Sequence, residues 1–286
     1  MYVSMENMLN KANKEQYAVM AINCFNLESA YATIKAAEEM DAPIIIDLLM
    51  EHLEKHLGME VVLPPIIDMA KKAAVDVAIN LDHGTSEAFT KNAIESGFSS
   101  VMIDASAFPY EENIEITKRI VGLAKNKGIT VEAEVGNMGA VLDDNFTKSS
   151  MYTNPDQAID FIQKTGVTAL ALSFGSSRGI MPEGYGPTFD FDIVRKIKAA
   201  TQIPLVLHGG SGCGEENIKK AIKCGINKVN VGSDVMKAQL DAVLSNGKSD
   251  SDFVELVETT INPAKDVVKY YIEISGSKGK KESRGI

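Results

Sequence analysis

Short aliphatic runs alternate along this chain with longer segments whose apolar residues recur every three or four positions, the periods of buried strand and amphipathic helix respectively. The strand pattern falls on "YAVMAINC" (17–24), "PIIIDLL" (43–49), "VAINLD" (77–82), "SSVMIDA" (99–105), "TVEAEV" (130–135), "ALALSF" (169–174), "PLVLH" (204–208) and "NKVNVG" (227–232). A helical stretch follows each: "LESAYATIKAAEEM", the segment through "PPIIDMAKKAA", "SEAFTKNAIESG", "YEENIEITKRIVGLAKNKG", "NPDQAIDFIQKTG", "DFDIVRKIKAA", "EENIKKAIKCG" and "SDVMKAQLDAVLS". Gly97, Gly128, Gly166 and Gly225 close several of them, as C-terminal caps do. Eight strand–helix units predict an α/β fold of the (β/α)8 TIM-barrel type rather than an open sheet. The barrel is expected to form a single domain over residues 1–276. An extra C-terminal helix, "DFVELVETTINPAKDVVKYYIEIS", should pack outside it, and residues 277–286, polar, glycine-rich and basic, read as a flexible tail.

Charge and cysteine usage narrow the function. With 286 residues, a formal net charge of −10 and 45% hydrophobic residues, the chain can bury a large core but lacks the basic surface that nucleic acid or anionic lipid demands. Small molecules are the expected partners, with no nucleic acid and no membrane. No apolar run reaches the ~20 residues that span a bilayer, and the N-terminus lacks a charged-then-apolar signal design, so a cytoplasmic protein is expected. Cys24, Cys213 and Cys224 are odd in number and widely spaced, which fits reduced thiols rather than a disulfide framework.

In a barrel of this type chemistry sits at the C-terminal ends of the strands. Here those ends carry Asn23, Cys24, Asp47, Asp82, His83, Asp104, Glu132, Glu134, Ser173, His208 and Asn230. Turn preference accounts for Asn23, Asp104 and Asp47. It gives no reason for imidazole, yet two of the chain's 4 histidines end strands three and seven. Neutral imidazole is the commonest metal ligand, and Asp82 or Glu134 could ligate, orient a histidine or carry a proton. Strands seven and eight end in "HGGSG" (208–212) and "NVGSD" (230–234), where barrel enzymes often hold a phosphate against backbone N–H groups. Gly209, Gly210, Ser211, Gly232 and Ser233 are the candidates. Each motif alone is also an ordinary turn or helix cap.

Together "NLDHGTS", "GFSSVMIDAS", "YEENIEITK", "VEAEVG", "PLVLHGGSG" and "KVNVGSD" resemble the class II ketose-bisphosphate aldolases, the fructose and tagatose branch, over about residues 5–245. The resemblance implies reversible cleavage of a phosphorylated ketose to dihydroxyacetone phosphate and an aldehyde through an enediolate, assisted by zinc or another divalent metal. It implies His83 and His208 as metal ligands, Glu134 as a carboxylate that can touch the metal, Asp82 as proton donor to the aldehyde oxygen and Asn230 as a contact to the enediolate. Gly179, Gly209, Gly210, Ser211 and Ser233 would bind the sugar phosphate and a monovalent cation (Na+ or K+) beside it. A homo-oligomer, dimer or tetramer, is also implied.

Three departures surround that pocket. The family's third zinc ligand is the His of a G-T-S/A-H-G loop after strand six, but here "GSSRG" (175–179) places Arg178 there. A guanidinium has no lone pair to offer a metal. The loop after strand five reads "GAVLD", with Leu142 where the family carries an acid/base Glu. After strand two, "DLLMEHLEKH" (47–56) replaces a small Ser/Thr–Pro–Gly segment. Three readings follow: a metal-dependent aldolase with a rebuilt site on His83, His208 and Glu134; a metal-free lyase or isomerase in which Arg178 faces the enediolate oxygen as a binding or catalytic cation; and a sugar-phosphate-binding homologue without catalysis. His52 and His56, four apart on an expected helix, read as solvated surface unless the segment folds inward. Tyr185 in "PEGYGP" is a candidate substrate contact, and Met59, Met69, Met102 and Met236 read as core filling.

Overall fold

The structure, a computed structural model, describes residues 1–136, 152–176, 188–248 and 250–282. Within them eight parallel strands close a barrel in chain order: β1 (Val19–Asn23), β2 (Ile44–Leu49), β3 (Val77–Gly84), β4 (Ser100–Ile103), β5 (Thr130–Val135), β6 (Ala169–Leu172), β7 (Leu205–Leu207) and β8 (Ile226–Val231). Closure is direct, since Met20 of β1 lies opposite both Ile44 of β2 and Val229 of β8.

Alternation along each strand sorts side chains into two sets. One set, including Ile44, Ile46, Ile79, Val101, Leu170 and Leu205, packs outward against the helices. The other points into the barrel, where its lower layer is apolar: Val19, Ala21, Ile45, Ala78, Met102, Ala169, Ala171 and Val206 form one cluster with Met5, Met8, Leu9 and Ala12. Those last four belong to α1 (Met5–Glu15), an N-terminal helix that plugs the bottom of the barrel and that the pattern of strand–helix units does not predict. Above this layer the inward positions turn polar, and that change of chemistry defines the site.

The outer helices are α2 (Leu27–Glu39), α3 (Met50–Lys55), α4 (Met59–Lys72), α5 (Glu87–Ser96), α6 (Tyr110–Lys125), α7 (Pro155–Thr165), α8 (Phe191–Thr201), α9 (Glu215–Cys224) and α10 (Ser233–Asn246). Helix α4 starts five residues before the prolines at which the periodic pattern begins, because Met59, Val62, Leu63 and Ile66 keep a buried stripe running through Pro64 and Pro65. The single extra C-terminal helix expected at 252–275 is two helices, α11 (Phe253–Glu258) and α12 (Ile261–Ser275). Pro263 explains the break: it is accommodated in the first turn of α12, where its missing N–H leaves no intrahelical bond unmade.

The tail expected to be flexible from residue 277 is fixed along its first residues. Ser277 is buried, the Gly279 amide donates to the Met40 carbonyl and the Lys281 amide to that of Asp41. Gly276, at φ 74°, turns the chain back for these bonds. Backbone hydrogen bonds hold the segment, and composition carries no sign of them.

Candidate active site

The two-residue period that builds the lower core also lifts Asp47 from β2, Asn80 and Asp82 from β3, Glu132 and Glu134 from β5, and Lys228 and Asn230 from β8 into the upper barrel, all buried. Lys228 bridges the Glu132 carboxylate at 2.9 Å and the Asp47 carboxylate at 3.5 Å, while the Asn80 amide donates to Asp47 at 2.9 Å. Burial alone would disfavour the Lys228 ammonium, but Asp47, Glu132 and Asp82 outweigh it and raise its pKa. Glu132 is lowered, burial being overcome by Lys228 and His208. For Asp47 burial wins over Lys228, and its carboxyl is raised to about 7. Sequence reasoning places Glu132 and Asp47 at strand ends without a role and passes over Lys228. The signal is nonetheless present, because a lysine two residues before Asn230 on one strand must share its inward face.

Asp82 and His83 are neighbours in sequence and would face opposite sides of a regular strand. Both reach the site because β3 breaks register against β4 between Leu81 and Gly84 and His83 takes a left-handed backbone at φ 47°. For a non-glycine residue that conformation costs about 1–3 kcal/mol, a strain of the kind found at functional centres. Gly84 is required beside it, since a Cβ there would sit 2.6 Å from the Met102 carbonyl oxygen.

The His83 and His208 rings meet edge to face, with Nε2 of His83 and Nδ1 of His208 3.0 Å apart. Behind them, His83 Nδ1 is 2.7 Å from Asp104 and His208 Nε2 is 2.7 Å from Glu132. An ionised carboxylate only accepts, so each outer nitrogen carries a proton, and the two inner nitrogens stand within hydrogen-bond distance of one another. Asp104 is held below the usual carboxylate range, burial being outweighed by its bond to His83 and by Ser106. Burial lowers the His208 pKa despite Glu132, which favours the neutral ring that a metal ligand needs. Two imidazoles braced from behind by carboxylates, inner nitrogens converging, form the donor set of a metal site. Oxygens stand ready on both sides: Asp82 Oδ1 lies 3.9 Å from His83 Nε2, and Glu134 Oε2 lies 3.8 Å from His208 Nδ1. Ligand atoms of Asp82, His83 and His208 all fall within 4.8 Å of one another, and those of His83, Asp104 and Glu134 do too. The described residues therefore fit a divalent cation.

Asp82 is itself held from above. Asn23 donates to it at 2.7 Å and Asn230 at 3.3 Å. Burial would raise its carboxyl, but His83, His208 and Lys228 together with the Asn23 bond keep it at about 2. It is a carboxylate at neutral pH.

These groups floor a cavity of about 320 Å³ that is also lined by Gly209, Ser211, Gly232 and Ser233 on one side and by Leu49, Glu51 and His52 on the other. The glycine-rich ends of β7 and β8 lock together. Ser211 Oγ accepts from the Gly232 and Asp234 amides at 3.3 and 3.2 Å, at the start of α10, and the Gly210 amide donates to the Asn230 carbonyl at 2.8 Å. Gly210 contributes closeness, since a Cβ would stand 2.6 Å from Val229 Cγ1 and 2.7 Å from that carbonyl.

The reading of His52 as solvated surface is corrected. Met50 and Leu53 bury one face of α3, the Thr85 hydroxyl meets Met50 Sδ at 3.7 Å, and the helix folds over the barrel mouth with Glu51 and His52 against the cavity. His56 stays exposed. Arg178, Gly179, Leu142 and Tyr185 lie outside the described residues.

The family model for class-II fructose-bisphosphate aldolase matches residues 3–280. The chain is 37% identical over 269 residues to a fructose-bisphosphate aldolase of Staphylococcus epidermidis and 38% identical over 273 residues to one of Geobacillus stearothermophilus, with 93% of each chain covered in both cases. The crystal structure of the YdjI aldolase from Escherichia coli K12 superposes with a TM-score of 0.89 at 35% identity, covering 99% of this chain and all of that one. With the barrel and its family match agreeing over nearly the whole length, the chain belongs to the class-II fructose-bisphosphate aldolase family.

Proposed function

We propose that the protein cleaves a phosphorylated ketose reversibly to dihydroxyacetone phosphate and an aldehyde, with His83, His208 and Glu134 holding a divalent cation, zinc foremost. The observation that carries this reading is the pair of inward ring nitrogens on His83 and His208, 3.0 Å apart and each ring braced by a carboxylate, beside an ionised Asp82. A bound cation would supply Lewis-acid stabilisation of the charge that develops on the ketone oxygen. Asp82 accepts the proton of the hydroxyl on the carbon beyond the scissile bond. That oxygen then closes its carbonyl, and the carbon–carbon electron pair moves onto the ketone half as the enediolate. In condensation the same carboxyl returns the proton to the aldehyde oxygen. Asn230 holds Asp82 through its amide nitrogen, while its Oδ1 is buried without a partner among the described residues and is suited to accept from a substrate hydroxyl.

Gly209, Ser211, Gly232 and Ser233 line the end of the cavity suited to the phosphate, and Gly210 lets the two loops close together; the family resemblance adds Gly179 and a monovalent cation to that set. Arg178 follows β6 and supplies a fixed positive charge to a phosphate, carboxylate or developing enediolate oxygen. A cytoplasmic homo-oligomer fits an apolar strip of exposed Leu240, Leu244, Phe253 and Val254 on α10 and α11. The carboxylates that brace both imidazoles from behind favour the metal-dependent reading over the metal-free one.

Elemental analysis of protein purified without added metal, combined with a cleavage assay on a panel of ketose phosphates, tests this. About one equivalent of divalent metal and chelator-sensitive cleavage are expected. Cleavage that survives complete metal removal would establish the metal-free reading, and binding of ketose phosphates with no turnover would establish the non-catalytic one.

A further inference from the structure

We infer that His52 reads a hydroxyl on the aldehyde half of the substrate, so that the protein selects a polyhydroxy aldehyde with an uncharged far end. This rests on the aldolase reading and concerns a wall of the same cavity that the cleavage chemistry leaves unused.

Among the described residues the cavity offers that half of the substrate one wall. The phosphate end belongs to the β7 and β8 loops, and the carbonyl and the bond to be cut belong over His83, His208 and Asp82. What remains of the cavity is the wall after β1 and β2, made by Leu49, Glu51 and His52. Most titratable groups there are already engaged. Asp82 is bound by Asn23 and Asn230, His83 by Asp104, His208 by Glu132, and Glu51 pairs with Lys55 at 2.6 Å. His52 differs: its Nδ1 is shut off from solvent and has no hydrogen-bond partner among the described residues, so the ring's other nitrogen is the one a ligand can reach. Its ring stands edge-on to Phe25 at 6.5 Å between centroids, which fixes its plane, and α3 is anchored by buried Met50 and Leu53. The ring lines the cavity, and an imidazole nitrogen presented there donates to or accepts from a hydroxyl. Among the described residues lining the cavity none is Lys or Arg, so a second phosphate at the far end would meet no cation from this wall.

The test is condensation of dihydroxyacetone phosphate with glyceraldehyde, with propanal of the same chain length, and with glyceraldehyde 3-phosphate, using the full-length metal-loaded enzyme and His52→Phe and His52→Gln. The wild type is expected to favour glyceraldehyde over both alternatives. In His52→Phe the ratio of kcat/KM for glyceraldehyde to that for propanal should fall roughly tenfold or more, through KM, as expected when one buried hydrogen bond to a substrate hydroxyl is lost. His52→Gln, which keeps a donor and an acceptor, should recover part of the ratio. An unchanged ratio in His52→Phe, or equal losses with both aldehydes, overturns the inference. A wild-type preference for glyceraldehyde 3-phosphate that disappears in His52→Phe also overturns it, by assigning His52 to a phosphate. Exchange of a donor C–H proton with solvent by the wild type, without any aldehyde, reports the underlying reading separately: if wild type shows neither exchange nor cleavage, it is the aldolase reading that fails.

Discussion

His83 and His208 come from strands three and seven, 125 residues apart, yet their inner ring nitrogens stand 3.0 Å apart with a carboxylate behind each ring. Asp104 and Glu132 thus orient the rings and turn both inner nitrogens toward the same point. Asp104→Asn is expected to weaken divalent-metal affinity by about 10- to 100-fold, the usual scale for losing such a brace. Competition against a chromophoric chelator reads it directly. An affinity equal to the parent's would mean that the carboxylate does not orient a ligand.

Asp82 lies 3.9 Å from His83 Nε2 and is held by two asparagines, geometry suited to moving a proton. Asp82→Asn preserves shape but cannot accept the hydroxyl proton. Turnover should drop by roughly a hundredfold or more while the melting temperature stays within a few degrees. Full activity in that variant would remove Asp82 from the chemistry.

Much of this arrangement is legible in the amino-acid sequence. Eight strand patterns give the barrel order because each strand carries an unbroken apolar face, and His83 and His208 stand out because no turn rule explains imidazole at a strand end. The plug α1 escapes such a reading because its value lies in what it covers, the open bottom of a barrel, and no local signal reports that. Lys228 escapes it because a lysine inside "NKVNVG" reads as a solvated position until the barrel closes and sets it between Glu132 and Asp47. His52 is misjudged because a short helix of alternating charge resembles surface, and only Met50 and Leu53 turning inward reverse that.

Gly210 tests the phosphate-side loops. Its Cβ position collides with Val229 Cγ1 and the Asn230 carbonyl, both part of β8. Gly210→Ala must push the β7 loop away from Asn230 and α10, at a cost of about 1–3 kcal/mol in stability, and KM for the ketose phosphate should rise as well. A lower melting temperature with KM unaltered would leave Gly210 a packing residue with no bearing on the phosphate.

Asp47 gives a pH-dependent prediction. Its carboxyl is raised from 3.8 to about 7 by burial, so between those values the folded state holds a proton that the unfolded chain has released. Stability from this group is therefore present at acid pH and declines as pH rises from about 4 to 7. Asp47→Asn removes that slope: its melting temperature relative to the parent should climb between pH 5 and pH 8. Parallel melting curves across that interval would show that Lys228 keeps Asp47 ionised throughout.

In the sequence Arg178 falls where the family resemblance implies a histidine ligand, and a guanidinium can neither lose its proton nor donate a lone pair to a metal. Its proposed use therefore lies in the substrate, pairing with a phosphate, carboxylate or enediolate oxygen. Arg178→Lys keeps the charge and loses the fork, and should raise KM for the ketose phosphate more than it lowers the melting temperature. Arg178→His restores a third imidazole to the set begun by His83 and His208 and should tighten zinc binding in a chelator titration. If Arg178→His holds zinc no better than the parent, and Arg178→Lys alters only thermal stability, then Arg178 is scaffolding and the rebuilt site rests on His83, His208 and Glu134 alone.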